Sequence, residues 1–189
     1  MSFSPSLPSI SSLHGADDKT IESVLDLLFE PSADLHALTI AAIRDGPPFT
    51  SYSTLIEYVG TLMSRLTQSP KPPNAQAMLH GILGSHPRLG EKKVDSAQSR
   101  AEQAHLNTSG ASQEKEEEAA KLKMLNDEYE TRYPGLRYVV FVNGRSRIVV
   151  MQNMRERIDR GDIQLEEKEA IQAMVDIALD RAKKLEAPK

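Results

Sequence analysis

Apolar positions recur at helical spacing along nearly the whole chain. Ile21, Val24, Leu25 and Leu28 follow the capping candidates Asp17-Asp18 and predict a helix ending before Pro31. A second short helix is predicted over 33–43, stopped by Asp45-Gly46-Pro47-Pro48. Leu55, Ile56, Val59, Leu62, Met63 and Leu66 then form one stripe on a helix of about four turns. After a Pro-rich loop at 69–73, Asn74 is placed to cap a helix carrying Ala77, Met78, Ile82 and Leu83. The pattern breaks over 85–95, where Pro87 and Gly90 predict an ordered loop. Helix resumes from about 96 to 105, and a small, polar connection follows at 107–112. A long helix over 113–132 buries Leu122, Leu125, Tyr129 and then Tyr133, with Glu116, Glu117 and Glu118 in its first turns, where acidic charge suits the helix dipole. Pro134-Gly135 ends it, and helices over about 147–158 and 166–185 complete the chain.

One segment breaks the rule. Tyr138-Val139-Val140-Phe141-Val142 is the sole β-like run, closed by the turn residues Asn143-Gly144. With no second strand to pair with, it reads as a buried extended segment between helices. No internal repeat is visible. The expected fold is therefore all-α, a single compact domain of about seven helices with one short buried extended segment at about 138–142. Residues 1–16 are expected to be a flexible N-terminal tail, leaving 17–186 as the domain.

Composition narrows the function classes. Of the 189 residues 27 are acidic and 23 basic, a net charge of −4, which is no electrostatic footprint for nucleic acid. The absence of Cys removes disulfides, thiolate nucleophiles, zinc fingers and iron–sulfur ligation, and suits a reducing compartment. No stretch approaches the roughly 18 apolar residues of a membrane span, and the N-terminus has neither the basic nor the apolar region of a signal peptide. The chain is expected to be soluble and intracellular, with the cytoplasm favoured because Ala187-Pro188-Lys189 is not a Ser-Lys-Leu-type peroxisomal address.

Four features could carry chemistry. His86 precedes Pro87, which holds its backbone out of helix at the start of the least periodic stretch. It reads either as an acid/base or as a helix C-terminal His serving the dipole. Ser99, Glu102 and Gln103, at offsets of three and four, share one helical face, able to grip a small polar heterocycle or simply to be solvated. The backbone groups of 138–142 need partners, which a ring with N–H and C=O groups or neighbouring loops could supply. Arg181 lies on or near the apolar stripe through Met174, Ala178 and Leu185 and wants a fixed anion, a side-chain carboxylate or a substrate's. The other His residues show no metal-site spacing, and no Gly-rich phosphate loop or Gly-x-Ser-x-Gly elbow is present.

Taken in order, these segments resemble a known family. Phe29-Glu30-Pro31-Ser32, Pro48-Phe49-Thr50-Ser51, His86-Pro87-Arg88-Leu89-Gly90, Ser99-Arg100-Ala101-Glu102-Gln103, Leu125-Asn126-Asp127-Glu128-Tyr129, the 138–145 segment and Ile177-Ala178-Leu179-Asp180-Arg181 follow the motif pattern of 2-oxo-4-hydroxy-4-carboxy-5-ureidoimidazoline decarboxylases. These enzymes complete the conversion of urate to (S)-allantoin. The resemblance covers about 20–185 and implies an all-α, cofactor-free decarboxylase, usually a homodimer, acting on a small ureidoimidazoline. It implies His86 as catalytic acid/base, with Glu102 beside it. Pro87, Ser99, Gln103, Arg181 and the backbone of Tyr138, Val139, Val140, Phe141 and Val142 would bind substrate. The chain departs from the pattern at Gly46-Pro47, where Arg is common, and at Asn143, often basic. Two other readings stand beside it: a non-catalytic helical module binding a partner through the acidic 113–132 helix, and a lyase for a related cyclic ureide.

Overall fold

Side-chain caps fix where several of the helices begin. In the computed structural model, which describes residues 6–90, 97–104 and 112–186, Asp17 accepts the Thr20 N–H at 2.7 Å and starts α1 (Asp18–Phe29). Ser32 caps α2 (Ala33–Asp45), Ser51 forms a reciprocal capping box with Thr54 at α3 (Tyr52–Arg65), and Ser146 caps α7 (Arg147–Arg160). Asn74 stands at the start of α4 (Ala75–Leu83), but its side chain makes no capping bond. Its role is the left-handed backbone, at φ 61°, which Asn tolerates better than most residues. The remaining helices are α5 (Ala97–Ala104), α6 (Ser112–Arg132) and α8 (Ile163–Glu186). The last begins three residues before the expected start because Asp162 Oδ1 accepts the N–H groups of Gln164 and Leu165, both at 3.0 Å.

All-α architecture is borne out: among the described residues there are eight α-helices, a short 3₁₀ turn at Ile10–Ser12 and no strand. Residues 91–95 of the predicted loop, the ends of the helix expected at 96–105, the connection at 107–111 and residues 1–5 of the expected tail lie outside the described residues. From residue 6 onward the N-terminal stretch lies against the body of the protein. Leu13 is fully buried, and Tyr52 donates its hydroxyl to the Pro8 carbonyl at 2.8 Å.

The core is built around α8, which packs on α1, α3 and α4. Its buried residues, from Ala170 through Ile171, Met174, Val175, Ile177 and Ala178 to Ala182, cover more than one face, as a central helix requires. Ala and Gly permit the close approach. A Cβ at Gly60 of α3 would meet Val175 Cγ2 at 2.6 Å. α6 and α7 form a second pair, and the 138–142 segment runs between them without pairing as a strand. It is pinned from behind by a buried polar cluster. The Arg157 guanidinium lies 4.8 Å over the Tyr138 ring and donates to the Val139 carbonyl at 3.0 Å. The same guanidinium pairs with Glu166, which also accepts from the Tyr129 hydroxyl. Arg145 donates to the carbonyls of Phe141 and Val142.

Candidate active site

The predicted features converge on one cavity of about 210 Å³. His86, Pro87, Ser99, Glu102 and Gln103 line it from one side, Tyr138, Val140, Phe141 and Val142 from the other. Two predicted residues do not line it. Val139 turns its carbonyl to Arg157, and Arg181 lies beneath Glu102, only 2% exposed.

Each wall has a local cause. α4 ends at Leu83, and Pro87 prevents the helix from continuing through His86. Residues 86–90 turn back across α6, where Asn126 Nδ2 donates to the Leu89 carbonyl at 3.0 Å and Arg88 binds Asp127 and Glu130 at 2.6 and 2.7 Å. The Gly90 N–H donates to Gln103 Oε1 at 2.9 Å, tying the loop to α5. Position 90 requires glycine, since its φ is +81° and a Cβ would meet Leu122 Cδ2 at 2.6 Å. The sequence left open whether His86 merely served a helix end. It is instead 92% buried (8% exposed), with Nδ1 fully enclosed and without a hydrogen-bond partner.

Ser99, Glu102 and Gln103 face inward from α5 rather than toward solvent, and Ser99 is buried. Behind them is the anion that Arg181 wants, in duplicate. Arg181 Nε donates to Glu102 Oε1 at 2.7 Å and Nη2 to Glu102 Oε2 at 2.9 Å, while Nη2 also reaches Glu30 Oε1 at 2.6 Å. Ser99 Oγ donates to the same Glu30 oxygen at 2.6 Å. Asp180, next to Arg181 in the chain, pairs with Lys184 at 2.5 Å, and both line the cavity.

The electrostatics follow from this burial. Desolvation, reinforced by the Arg181 charge, pushes the His86 pKa down to about 4 against the opposing pull of Glu30 and Glu102. Burial alone would raise Glu30, but the Arg181 charge and the hydrogen bonds from Ser99 and Arg181 outweigh it and hold the carboxyl below its usual range. The site thus presents a neutral imidazole beside an ionised, oriented carboxylate network. Across the cavity, the Tyr138 and Val140 carbonyls and the N–H groups of 138–142 have no protein partner among the described residues. They form a polar backbone edge suited to a planar heterocycle. Among the described residues no three His, Asp or Glu side chains come together to hold a metal ion, and no helix is long and apolar enough to cross a membrane.

Sequence reasoning gave no role to Glu30 or Asn126, although both stand inside quoted motifs. Their spacing carries no signal of partners as distant as Arg181, 151 residues from Glu30 in the chain.

Residues 14–183 match the protein family described as OHCU decarboxylase. The chain is also 29% identical over 165 residues to the uric acid degradation bifunctional protein PucL of Bacillus subtilis (strain 168). That alignment takes in 87% of this chain and 29% of the relative, so the chain spans less than a third of the length of the protein it matches.

Proposed function

The chain belongs to the OHCU decarboxylase family, and from that premise we propose that it converts 2-oxo-4-hydroxy-4-carboxy-5-ureidoimidazoline to (S)-allantoin, with His86 as acid/base. The observation that carries this reading is His86 itself, buried with an unpartnered Nδ1 in a cavity that also holds Glu102 and the backbone edge of 138–142.

In the proposed reaction the bond between the ring carbon and its carboxylate breaks. CO2 leaves as the electron pair moves into the adjacent C=N, whose nitrogen takes up a proton, and the enol so formed gives up its hydroxyl proton to become the ring carbonyl while the neighbouring, ureido-bearing carbon is protonated on one face. The ring's own imine is the electron sink. What the protein must supply is orientation and proton handling. With a pKa near 4 the imidazole meets the substrate neutral, able to accept the hydroxyl proton. The incoming carboxylate favours the imidazolium, so the same ring can hold that proton for return. Glu102, fixed by Arg181, orients the ring or the substrate, and Gln103 and the 138–142 backbone hold the heterocycle. Single-face protonation gives one enantiomer. Homodimer assembly belongs to the same proposal and is supported by the family pattern.

The alternative of a non-catalytic module is disfavoured by the inward-facing Ser99, Glu102 and Gln103, which a partner-binding α6 surface would not require. The test is circular dichroism of allantoin made from urate by urate oxidase and hydroxyisourate hydrolase, with and without this protein. Rapid, single-enantiomer product that His86→Ala abolishes supports the reading. Slow racemic product with correctly folded protein overturns it, and activity on another cyclic ureide would redirect the substrate assignment.

A further inference from the structure

Glu30 does not touch the cavity, yet it is held in a way that stability alone does not explain. It is the residue at which α1 ends, with φ 83° and ψ 151°, a region of backbone space that essentially only glycine occupies without strain. Pro31 follows directly, so the chain also forgoes a backbone donor there. Glycine would relieve the strain. What glycine would lose is the carboxylate, 97% buried (3% exposed) and bonded through one of its oxygens. Its Oε1 accepts from Ser99 Oγ and from Arg181 Nη2, both at 2.6 Å.

One of those donors, Arg181, is the group that fixes Glu102, and the other, Ser99, is bonded to Arg181 in turn. Arg181 grips both Glu102 oxygens, and Ser99 precedes Glu102 by one turn on α5 and receives a further contact from Arg181 Nη2 at 3.0 Å. The Leu28 carbonyl takes Nη1 at 3.4 Å, so the end of α1 meets the guanidinium with backbone as well as side chain. Charge gives a further reason. One guanidinium serves two carboxylates, so Arg181 and Glu102 would stay a neutral pair if Glu30 were removed. The second carboxylate is surplus to charge balance and makes sense as a geometric clamp.

We propose that Glu30 is a positioning residue. It locks the Arg181 guanidinium and the Ser99 hydroxyl so that Glu102 meets the substrate in a single orientation. This rests on the decarboxylase reading above, and two measurements separate the two claims. In steady-state kinetics, Glu30→Gln lowers kcat about tenfold or more while KM stays within about threefold, as a misplaced group predicts. In a Glu102→Gln background the same change alters kcat by less than about twofold, because its effect passes through Glu102. Full kcat in Glu30→Gln, or an equal loss in both backgrounds, overturns the proposal. Glu30→Gly, which suits the backbone, carries the same cycle if the Gln variant does not fold.

The second readout needs no substrate. The Arg181 Nε–H resonance in ¹⁵N NMR is expected to be sharp and protected from solvent exchange in the intact protein, and to broaden or exchange at least about tenfold faster in Glu30→Gln. An unchanged resonance overturns the clamp. An intact clamp in a protein that does not accelerate CO2 loss would instead overturn the reaction assignment.

Discussion

Arg181 holds Glu102 at two points, Nε to Oε1 at 2.7 Å and Nη2 to Oε2 at 2.9 Å, although the residues are 79 positions apart. A planar fork meeting a carboxylate in this way fixes orientation as well as distance. Lysine has the charge but a single donor point. Arg181→Lys is therefore expected to lower kcat by roughly 10- to 100-fold on the proposed reaction, with a smaller change in KM. It also leaves the buried Glu30 carboxylate poorly paired, at a stability cost of roughly 1–3 kcal/mol. Steady-state kinetics and thermal melting check both halves. Wild-type kcat in the Lys variant would show that the two-point grip is dispensable.

His86 should make stability depend on pH in a definite window. Its pKa lies near 4 in the folded protein, against an ordinary value of 6.5. The unfolded chain therefore takes up a proton below about 6.5 that the folded protein refuses until about 4, and stability falls as pH drops through that interval. The contribution is of order 3 kcal/mol over the full window. Glu30, with its depressed pKa, adds a loss in the same direction at lower pH, as its carboxylate protonates. Between pH 6.5 and 4.5 the slope of unfolding free energy against pH should be visibly shallower in His86→Gln than in the parent protein. Denaturant melts at a series of pH values decide the matter, and equal slopes would mean that His86 titrates normally.

The helices were legible because each carries a local signal. Asp17, the Asp45-Gly46-Pro47-Pro48 stop and the stripe from Leu55 to Leu66 mark ends and faces within a few residues of one another. The site was legible only in pieces. Ser99, Glu102 and Gln103 announce a shared face through spacing, but whether that face looks inward depends on α1, α8 and the 86–90 loop, which spacing does not encode. The same limit hid Glu30. A carboxylate at a helix end before Pro31 reads as surface until the fold carries Arg181 to it. Within the extended run, spacing does not set Val139 apart from its neighbours, although Arg157 claims its carbonyl and leaves only its N–H free of a protein partner among the described residues.

The close contact between α3 and α8 gives a sharp packing test. At Gly60 a methyl group would come within 2.6 Å of Val175 Cγ2, far inside van der Waals contact. Gly60→Ala should destabilise the protein by roughly 1–3 kcal/mol despite the better helix propensity of alanine. On a chain of this size each kcal/mol moves the melting temperature by about 2–4 °C. Val175→Ala in the same chain should recover part of the loss by removing the clashing methyl. A Gly60→Ala protein that melts higher than the parent would show that the helices separate freely at this point.

The cluster behind the 138–142 segment should let stability and activity be separated. Glu166 is fully buried and shared among Arg157, Arg160 and the Tyr129 hydroxyl. Removing Arg157 alone, as in Arg157→Met, strips the carboxylate of its closest charged partner and should cost roughly 3–5 kcal/mol. Removing both charges with Arg157→Met and Glu166→Leu takes away the buried ion pair altogether, and such replacements are often neutral or stabilising. The double variant should thus melt well above the single one. Activity should not follow. Arg157 also donates to the Val139 carbonyl and covers the Tyr138 ring, so either variant loses the contacts that place the backbone edge opposite His86 and Glu102. The expected outcome is a double variant with near-normal melting whose kcat/KM on the ureidoimidazoline stays at least about tenfold low. Recovery of activity along with stability would mean that packing alone, without the Arg157 contacts, suffices to hold the segment in place.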